Sequence, residues 1–372
     1  MSARDWLRRF EGARGLLSDL EALVIRESPS EDTARVSALA AWIVERLRSA
    51  GVRAETRPCP PRGDAVLAWV GSGGGTLLLG HHDTVWPAGT LAEIPFRCAG
   101  GRATGPGVFD MKAGIAVALS VLEALAAKPG PPPVSLLLTP DEELGTGASR
   151  ALLLETALRH RQVLVLEPSL DGAAKIARKG TGSFEVRFAG RAAHAGLEPV
   201  KGASALLELA RFALFATGLT EPGQGTTVVP TLAESGSKPN VVPERATLTL
   251  DARVWSQPEA RRLEAALRAY RPADGRVGVE LAGGFDRPPL EPTPEASALF
   301  EQARAIASEL SFELAGARVG GASDGNLTAA AGVTTLDGLG PRGDGAHARH
   351  EHVIVSDLPR RAALLARLVE SA

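Results

Sequence analysis

Seven residues of this chain carry side chains suited to binding a metal ion or moving a proton: His81, Asp83, Asp110, Glu142, Glu143, Glu167 and His347. Three short apolar runs lead into most of them. Leu77–Leu79 empties through Gly80 into His81 and Asp83, Val134–Leu138 empties into Glu142 and Glu143, and Val163–Leu166 empties into Glu167. Imidazole nitrogen and carboxylate oxygen are good zinc donors, and catalytic zinc sites keep a position open for water. The two histidines His81 and His347 with the carboxylates Asp110, Glu143 and Glu167 exceed what one tetrahedral catalytic zinc needs. They suit two zinc ions, each with its own histidine and carboxylate, bridged by the remaining carboxylate and a water. Two such ions about 3.5–4 Å apart polarise a scissile carbonyl and activate the water together. Cobalt or manganese would accept the same N/O ligands.

Glu142 adds a proton-transfer group. Neighbouring residues of an extended chain point opposite ways, so Glu143 can bind metal while Glu142 faces the water as general base and later returns the proton to the leaving amine. The competing reading makes Asp141-Glu142-Glu143 an acidic helix cap. Asp83 lies two residues past His81, where it can hydrogen-bond the imidazole's other nitrogen or close an Asx turn with Thr84. His82 points away if His81 points in, and reads as structural.

The elements that must position these groups follow from periodicity. Helical spacing runs through Leu7, Phe10, Leu16, Leu17, Leu20 and Val24. A second helix fits Glu31–Ala50, with Ser30 available as its cap and Gly51 at its end. The apolar runs are too short for free helices and read as buried strands. Helices over Ile115–Leu125 and about Ala148–Leu158 separate them, so the first part of the chain reads as an α/β domain with a mostly parallel sheet covered on both faces. Ligand sites in such sheets lie beyond the carboxyl ends of the strands, where these residues stand.

Near Gly180 the pattern changes to strands that alternate apolar and polar residues, in the order β-α-β-β-α-β of a ferredoxin-like module. Phe285–Pro294, with four prolines, reads as the return linker. The expected organisation is a catalytic domain over residues 1–179 and 290–372, interrupted by an inserted α+β domain over 180–289.

The bulk numbers agree with a folded globular chain of more than one domain: 372 residues, 44% apolar and 23% charged. The formal net charge of −2 and the lack of a basic run argue against nucleic acid or an anionic membrane as partner. Cys59 and Cys98 have no CxxC spacing and read as packing thiols of a reducing compartment. The first 24 residues mix charges among the apolar positions and do not make a signal peptide. No stretch approaches the about 20 apolar residues of a membrane span. Cytoplasm is the expected location.

The chain resembles the co-catalytic zinc amidohydrolases that include bacterial glutamate carboxypeptidase, succinyl-diaminopimelate desuccinylase, acetylornithine deacetylase and aminoacylase. The motifs are GHHDTV (Gly80–Val85), GPGVFDMKAG (Gly105–Gly114), TPDEELG (Thr139–Gly145), LEP (Leu166–Pro168), GRAAHAG (Gly190–Gly196) and GGASDGN (Gly320–Asn326), with His347 followed by Glu351. The resemblance implies a zinc-exopeptidase-like catalytic domain with the inserted module as lid and dimerisation domain. It makes Asp110 the bridging ligand, pairs His81 with Glu167 and Glu143 with His347, and gives Glu142 the role of base with Asp83 as partner of His81. It also implies a cis peptide at Asp110-Met111. His194 would serve the site of a partner subunit in a homodimer, hydrogen-bonding the scissile carbonyl, and Asn240 would bind substrate. Arg253, on the solvent-side register of its strand, offers a fork for a substrate carboxylate or an ion pair with Asp251. Asn326 either caps a helix or touches substrate.

The implied substrate is a small peptide or an N-acyl amino acid with a free carboxylate beside the cleaved amide. Glu167 in LEP and the wording GPGVFDMK favour the glutamate-carboxypeptidase branch; N-acyl-amino-acid deacylation is the alternative. A catalytically inactive binding relative is the alternative of another class, but such relatives usually lose a ligand or the base, and every such position is filled here.

Overall fold

The computed structural model describes residues 1–12 and 15–372. In chain order the principal strands are β1 (Arg53–Pro58), β2 (Asp64–Val70), β3 (Thr76–His81), β4 (Val134–Thr139), β5 (Gln162–Val165), β6 (Gly180–Ala189), β7 (Thr227–Ser235), β8 (Arg245–Val254), β9 (Gly278–Arg287) and β10 (Thr334–Leu336). They fall into two compact units. One comprises Met1–Ile176, Pro292–Arg318 and Ser323–Ala372; the other comprises Ala177–Glu291 and Val319–Ala322.

The first unit is built on a six-stranded sheet in the order β1-β2-β4-β3-β5-β10. β3 pairs in parallel with β4 and β5, β10 in parallel with β5, and β2 antiparallel with both β1 and β4. β2 is therefore the one reversed strand of the sheet. Strand side chains alternate between faces, and the two sets enter different cores. Leu78, Leu136, Leu138 and Leu164 join the core that holds helix Ala113–Ala126. Leu77, Leu79, Leu137, Val163 and Val165 face a second core with Leu153, Ala157 and Leu327. Every residue of β3 is buried, which is why it reads as an apolar run without alternation.

This arrangement is the α/β fold with a largely parallel sheet that the periodicity implies. Two local details differ, and a third lies outside the described residues. The amphipathic stretch at the start forms two helices, Ala3–Glu11 and Gly15–Val24, and the expected continuity between them falls on residues 13 and 14, outside the described residues. The helix after Ser30 runs Thr33–Ser49 and is capped by Asp32, whose side chain accepts from the Arg35 amide. Phe285–Arg287, expected in the return linker, complete β9.

The second unit carries an antiparallel sheet ordered β7-β8-β6-β9. Helices Ala205–Thr217 and Gln257–Arg268 follow β6 and β8, giving the β-α-β-β-α-β order. Burial alternates strictly along β6 and β8. Phe184, Val186, Leu248 and Leu250 share the resulting core with Phe212 and Leu263 of the helices. Among the described residues, no helix is long and apolar enough to cross a membrane.

Candidate metal centre

The carboxyl ends of β3, β4 and β5 lie side by side, because His81 is in register with Thr139 and Leu79 with Val165. His81 is the last residue of β3. Glu142 and Glu143 occupy a 3-10 turn (Glu142–Leu144) just past β4, and Glu167 follows β5. Gly80 lies close against Met111: a Cβ there would stand 2.5 Å from the Met111 methyl, which would have to shift. Met111 Sδ accepts from the His81 amide, and the Asp110-Met111 peptide is cis.

The other two groups arrive on paired loops. Arg102–Thr104 leads to Asp110, and the hairpin of Gly343–Asp344 and His352–Ile354 carries His347 in its loop. His352–Ile354 pairs with Arg102–Thr104, which zips the two loops into one small sheet. Glu351 locks them. Its Oε1 accepts from the Phe109 amide at 2.8 Å and the Asp110 amide at 3.0 Å, and its Oε2 accepts from the Gly107 amide at 2.9 Å and the Trp86 indole at 2.8 Å.

The result is a symmetric cluster around Asp110. Its Oδ1 is 3.3 Å from His81 Nε2, and its Oδ2 is 3.4 Å from His347 Nε2. Each imidazole has a second carboxylate: Glu167 Oε1 is 3.4 Å from His81 Nε2, and Glu143 Oε1 is 3.2 Å from His347 Nε2. These spacings are longer than charge-assisted hydrogen bonds of about 2.7–2.9 Å. They match the edge of a zinc tetrahedron, about 1.6 times a metal–ligand bond of about 2.0–2.1 Å. The donor set therefore fits a metal on either side of Asp110.

The electrostatics point the same way. Hydrogen bonds to Asp110 and Glu143 raise the His347 pKa to about 10. Burial opposes a charge on His81, yet its bonds to Asp110, Asp83 and Glu167 outweigh that and raise its pKa as well. Burial likewise opposes ionisation of Asp110, and the two imidazoles overcome it and hold its carboxyl low. Three carboxylates around two imidazoles make a pocket that favours cations.

Asp83 ties this centre to the Glu142 turn. His81 Nδ1 lies 3.1 Å from the Asp83 carbonyl oxygen and 3.4 Å from its carboxylate Oδ1, so Nδ1 is the donor and Nε2 is free to face the carboxylates. The same carboxylate accepts from Ser30 Oγ at 2.7 Å, the Glu142 amide at 3.2 Å and the Glu143 amide at 3.3 Å. Glu142 and Glu143 thus diverge from a turn and not from extended chain. The turn is braced again by Asp324, which accepts from Thr139 Oγ1 at 2.8 Å and from the Thr146 hydroxyl. His82 is fully buried, and burial lowers its pKa to about 4, so it stays neutral.

The profile of peptidase family M20/M25/M40 matches residues 77–371, the whole span that carries these groups. The chain belongs to that family. Enzymes of the M20 family are metal-dependent hydrolases of metallopeptidase or amidohydrolase type, and this is one of them. Carboxypeptidase G2 of Pseudomonas sp. (strain RS-16) is 30% identical over 368 residues, covering 95% of this chain and 88% of that protein. An acetylornithine deacetylase of Proteus mirabilis (strain HI4320) is 32% identical over 186 residues, covering 48% of this chain and 46% of that protein. Among solved structures, aminopeptidase PepT from Bacillus cereus superposes with a TM-score of 0.82 at 20% identity, over 96% of this chain and 97% of that one. An M20 family metallo-carboxypeptidase from Sulfolobus solfataricus superposes with a TM-score of 0.72 at 15% identity, over 96% of this chain and 99% of that one. Those two likenesses are likenesses of fold.

Of the remaining residues singled out in this M20 chain, Asn326 lies in the first unit and His194, Asn240 and Arg253 lie in the second. His194 and Asn240 are neighbours there: the Ala195 amide donates to the Asn240 carbonyl, and His194 bridges to Val241. Both side chains are exposed. His194 Nδ1 accepts from the Gly196 and Leu197 amides at 3.1 Å each, which leaves Nε2 as its donor. Arg253 donates through Nε and Nη2 to the Asp251 carboxylate, each at 3.0 Å to the nearer oxygen, and through Nη1 to the Gly320 carbonyl at 3.1 Å. Its fork is already filled. Asn326 is a capping residue: its Oδ1 accepts from the Ser323 amide at the start of helix Asp324–Ala330. Glu351, Ser30 and Asp324 brace these groups, whereas the sequence alone placed Glu351 and Asp324 only within motifs and Ser30 only as a helix cap.

Proposed function

We propose that the protein is a di-zinc carboxypeptidase that cleaves the amide bond beside an amino acid with a free carboxylate. The observation that carries this reading is Asp110, whose two carboxylate oxygens face different imidazoles, each with a second carboxylate of its own. His81 and Glu167 would hold one zinc ion, Glu143 and His347 the other, and Asp110 both. Bound there, the ions would polarise the scissile carbonyl and acidify water. Glu142 takes the proton and delivers it to the leaving amine. Asp83 positions both partners, holding Nδ1–H of His81 and the amides of the Glu142-Glu143 turn. In a homodimer, His194 would offer its Nε2–H to the carbonyl oxygen of a substrate held at the partner subunit's centre, and Asn240 would contact the substrate. Arg253 meets a substrate carboxylate only by exchanging its Asp251 partner.

A homodimer through the inserted unit, which would act as lid, is part of the proposal. β7 is an edge strand with Val229 and Leu232 exposed, and the neighbouring helix Ala205–Thr217 exposes Leu206, Leu207 and Leu214. An apolar edge of this kind is a pairing surface. The carboxypeptidase reading is placed first because the likeness to carboxypeptidase G2 spans nearly the whole chain. Likeness over about half the chain to acetylornithine deacetylases supports N-acyl-amino-acid deacylation as the second reading.

The test is metal analysis with a substrate panel of acyl- and peptidyl-amino acids, run with zinc and with chelator. Two equivalents of zinc per chain are expected, with activity lost on chelation and regained with zinc. Glu142→Gln should lower kcat by about 10²–10⁴ while keeping both metals. Full activity in that variant, or one metal per chain, would refute the mechanism.

A further inference from the structure

Away from the metal centre, a cavity of about 600 Å³ opens on the outer strands of the first unit's sheet. Ligand pockets generally measure about 300–1,000 Å³. β2 supplies its floor. Val66, Ala68 and Val70 point into the core beside helix Ala113–Ala126, whereas Leu67 and Trp69 point the other way and stay half-buried. On that face helix Arg150–Ala157 covers β3, β4 and β5 with Leu153 and Ala157, and the stretch over β1 and β2 is left open. Trp69 is in register with Ser135, about 13 Å before β4 ends at Thr139 and turns into Glu142.

The borders of this floor are fixed. β1 places Arg53, Glu55 and Arg57 beside Trp69, Leu67 and Ala65. His160, bonded to Ser135 of β4, stands on the other side of β2. The turn Gly71–Gly74 closes one end. A Cβ on Gly71 would stand 2.8 Å from the Pro132 carbonyl oxygen, and one on Gly74 1.9 Å from that of Arg159. Backbone cannot step aside as a side chain can, so the glycines let this turn seat itself between the two segments.

Most of the charge around the cavity is already matched. Arg57 pairs with Glu55 at 2.5 Å, and Arg159 pairs with Glu155 at 2.5 Å. His160 is neutral: burial lowers its pKa, its Nδ1–H donates to the Thr156 carbonyl at 2.8 Å, and its Nε2 accepts from the Ser135 hydroxyl at 2.9 Å. Arg53 is the cation left over. Its Nη2 donates to the Gly71 carbonyl at 2.7 Å, and among the described residues no carboxylate meets it. Its guanidinium carbon lies 5.6 Å from the centroid of the Trp69 ring, so charge and stacking surface stand side by side. One surplus cation suits one carboxylate, whereas a polyphosphate would call for several.

We propose that this cavity is a second ligand site, separate from the metal centre, for a flat aromatic molecule carrying a single carboxylate. The ring lies over Leu67 and Trp69, and the carboxylate meets the guanidinium hydrogens of Arg53 that the protein leaves open. None of the lining residues belongs to the metal centre, so the site goes beyond the hydrolase reading and does not rest on it.

The test is calorimetry on the metal-loaded enzyme with naphthoate and, in parallel, with uncharged naphthylmethanol. Naphthoate should bind about tenfold more tightly, as a charge-assisted hydrogen bond requires. Arg53→Gln, at an exposed position, should remove that advantage while naphthylmethanol binding stays as it was. Glu55→Gln, which frees Arg57 of its partner, should tighten naphthoate by severalfold; a merely structural part for these residues would not move the two variants in opposite directions. Equal affinity for the two probes, or no binding of naphthoate at any soluble concentration, overturns the proposal. Naphthoate binding that neither variant changes places the ligand elsewhere, the metals included, and overturns it too. Because the readout is binding at the cavity, none of these outcomes bears on the hydrolase reading.

Discussion

Glu351 shows how much of the centre depends on a residue that touches neither imidazole. Its two oxygens accept four hydrogen bonds, three from the backbone that leads into Asp110 and one from Trp86. Burial raises its pKa, and the amides of Asp110, Phe109 and Gly107 oppose that rise. Glu351→Gln keeps the volume but replaces one acceptor oxygen by an NH2 group, which must face N–H donors. Losing such an outer partner generally costs about 10–100-fold in metal affinity. Titration against a competing chelator should show a weakening of that order for Glu351→Gln. Unchanged affinity would mean that the Asp110 loop holds its own shape.

The stretch Ser30–Asp32 sharpens what local pattern can and cannot tell. Both Ser30 and Asp32 are good helix caps, and the apolar stripe that begins at Val36 cannot choose between them. Asp32 caps the helix, and Ser30 turns instead to the Asp83 carboxylate. The two substitutions should therefore separate. Asp32→Ala should cost about 1 kcal/mol of stability with kcat/KM retained, as thermal melts and rates would report. Ser30→Ala removes one donor from a buried carboxylate and should lower kcat/KM more than the melting temperature; the reverse order would contradict the assignment. The strands, and the standing of His81, Glu143 and Glu167 at or just past their ends, were legible because burial on both faces leaves an apolar run with a defined end, and because β3, β4 and β5 run side by side in register. The Glu142 turn, the role of Ser30 and the clasp of Glu351 were not legible. Each depends on a hydrogen bond between residues 53 or more positions apart in the chain, and no periodicity records that. Arg253 was legible as two readings, and only the position of Asp251 shows which contact the folded chain makes.

The chain as a whole carries two separate sets of cores, and different solution conditions should address them separately. All five proposed metal ligands lie in the first unit, so metal raises the stability of that unit alone. A ligand present at a hundredfold over its Kd contributes about 2.7 kcal/mol, which for a domain of this size corresponds to a shift on the order of 5–10 °C. Calorimetry should resolve a transition that falls by that amount on chelation and a second that does not move. The second unit should respond to acid instead. Glu208 is buried there, and burial alone would raise its carboxyl pKa. Bonds from the Tyr270 hydroxyl, the Ala273 amide and Arg211 overcome that and hold it below the usual carboxylate value. A group with a lowered folded pKa stabilises fully above its unfolded value of about 4.3, and loses that contribution as the pH falls through the folded value. The chelation-insensitive transition should accordingly drop as the pH is taken from 6 towards 3. Glu208→Gln should start lower and drop less steeply. If chelation moves both transitions equally, or if Glu208→Gln leaves the acid slope of the second unchanged, the two units do not hold their stability independently in this way.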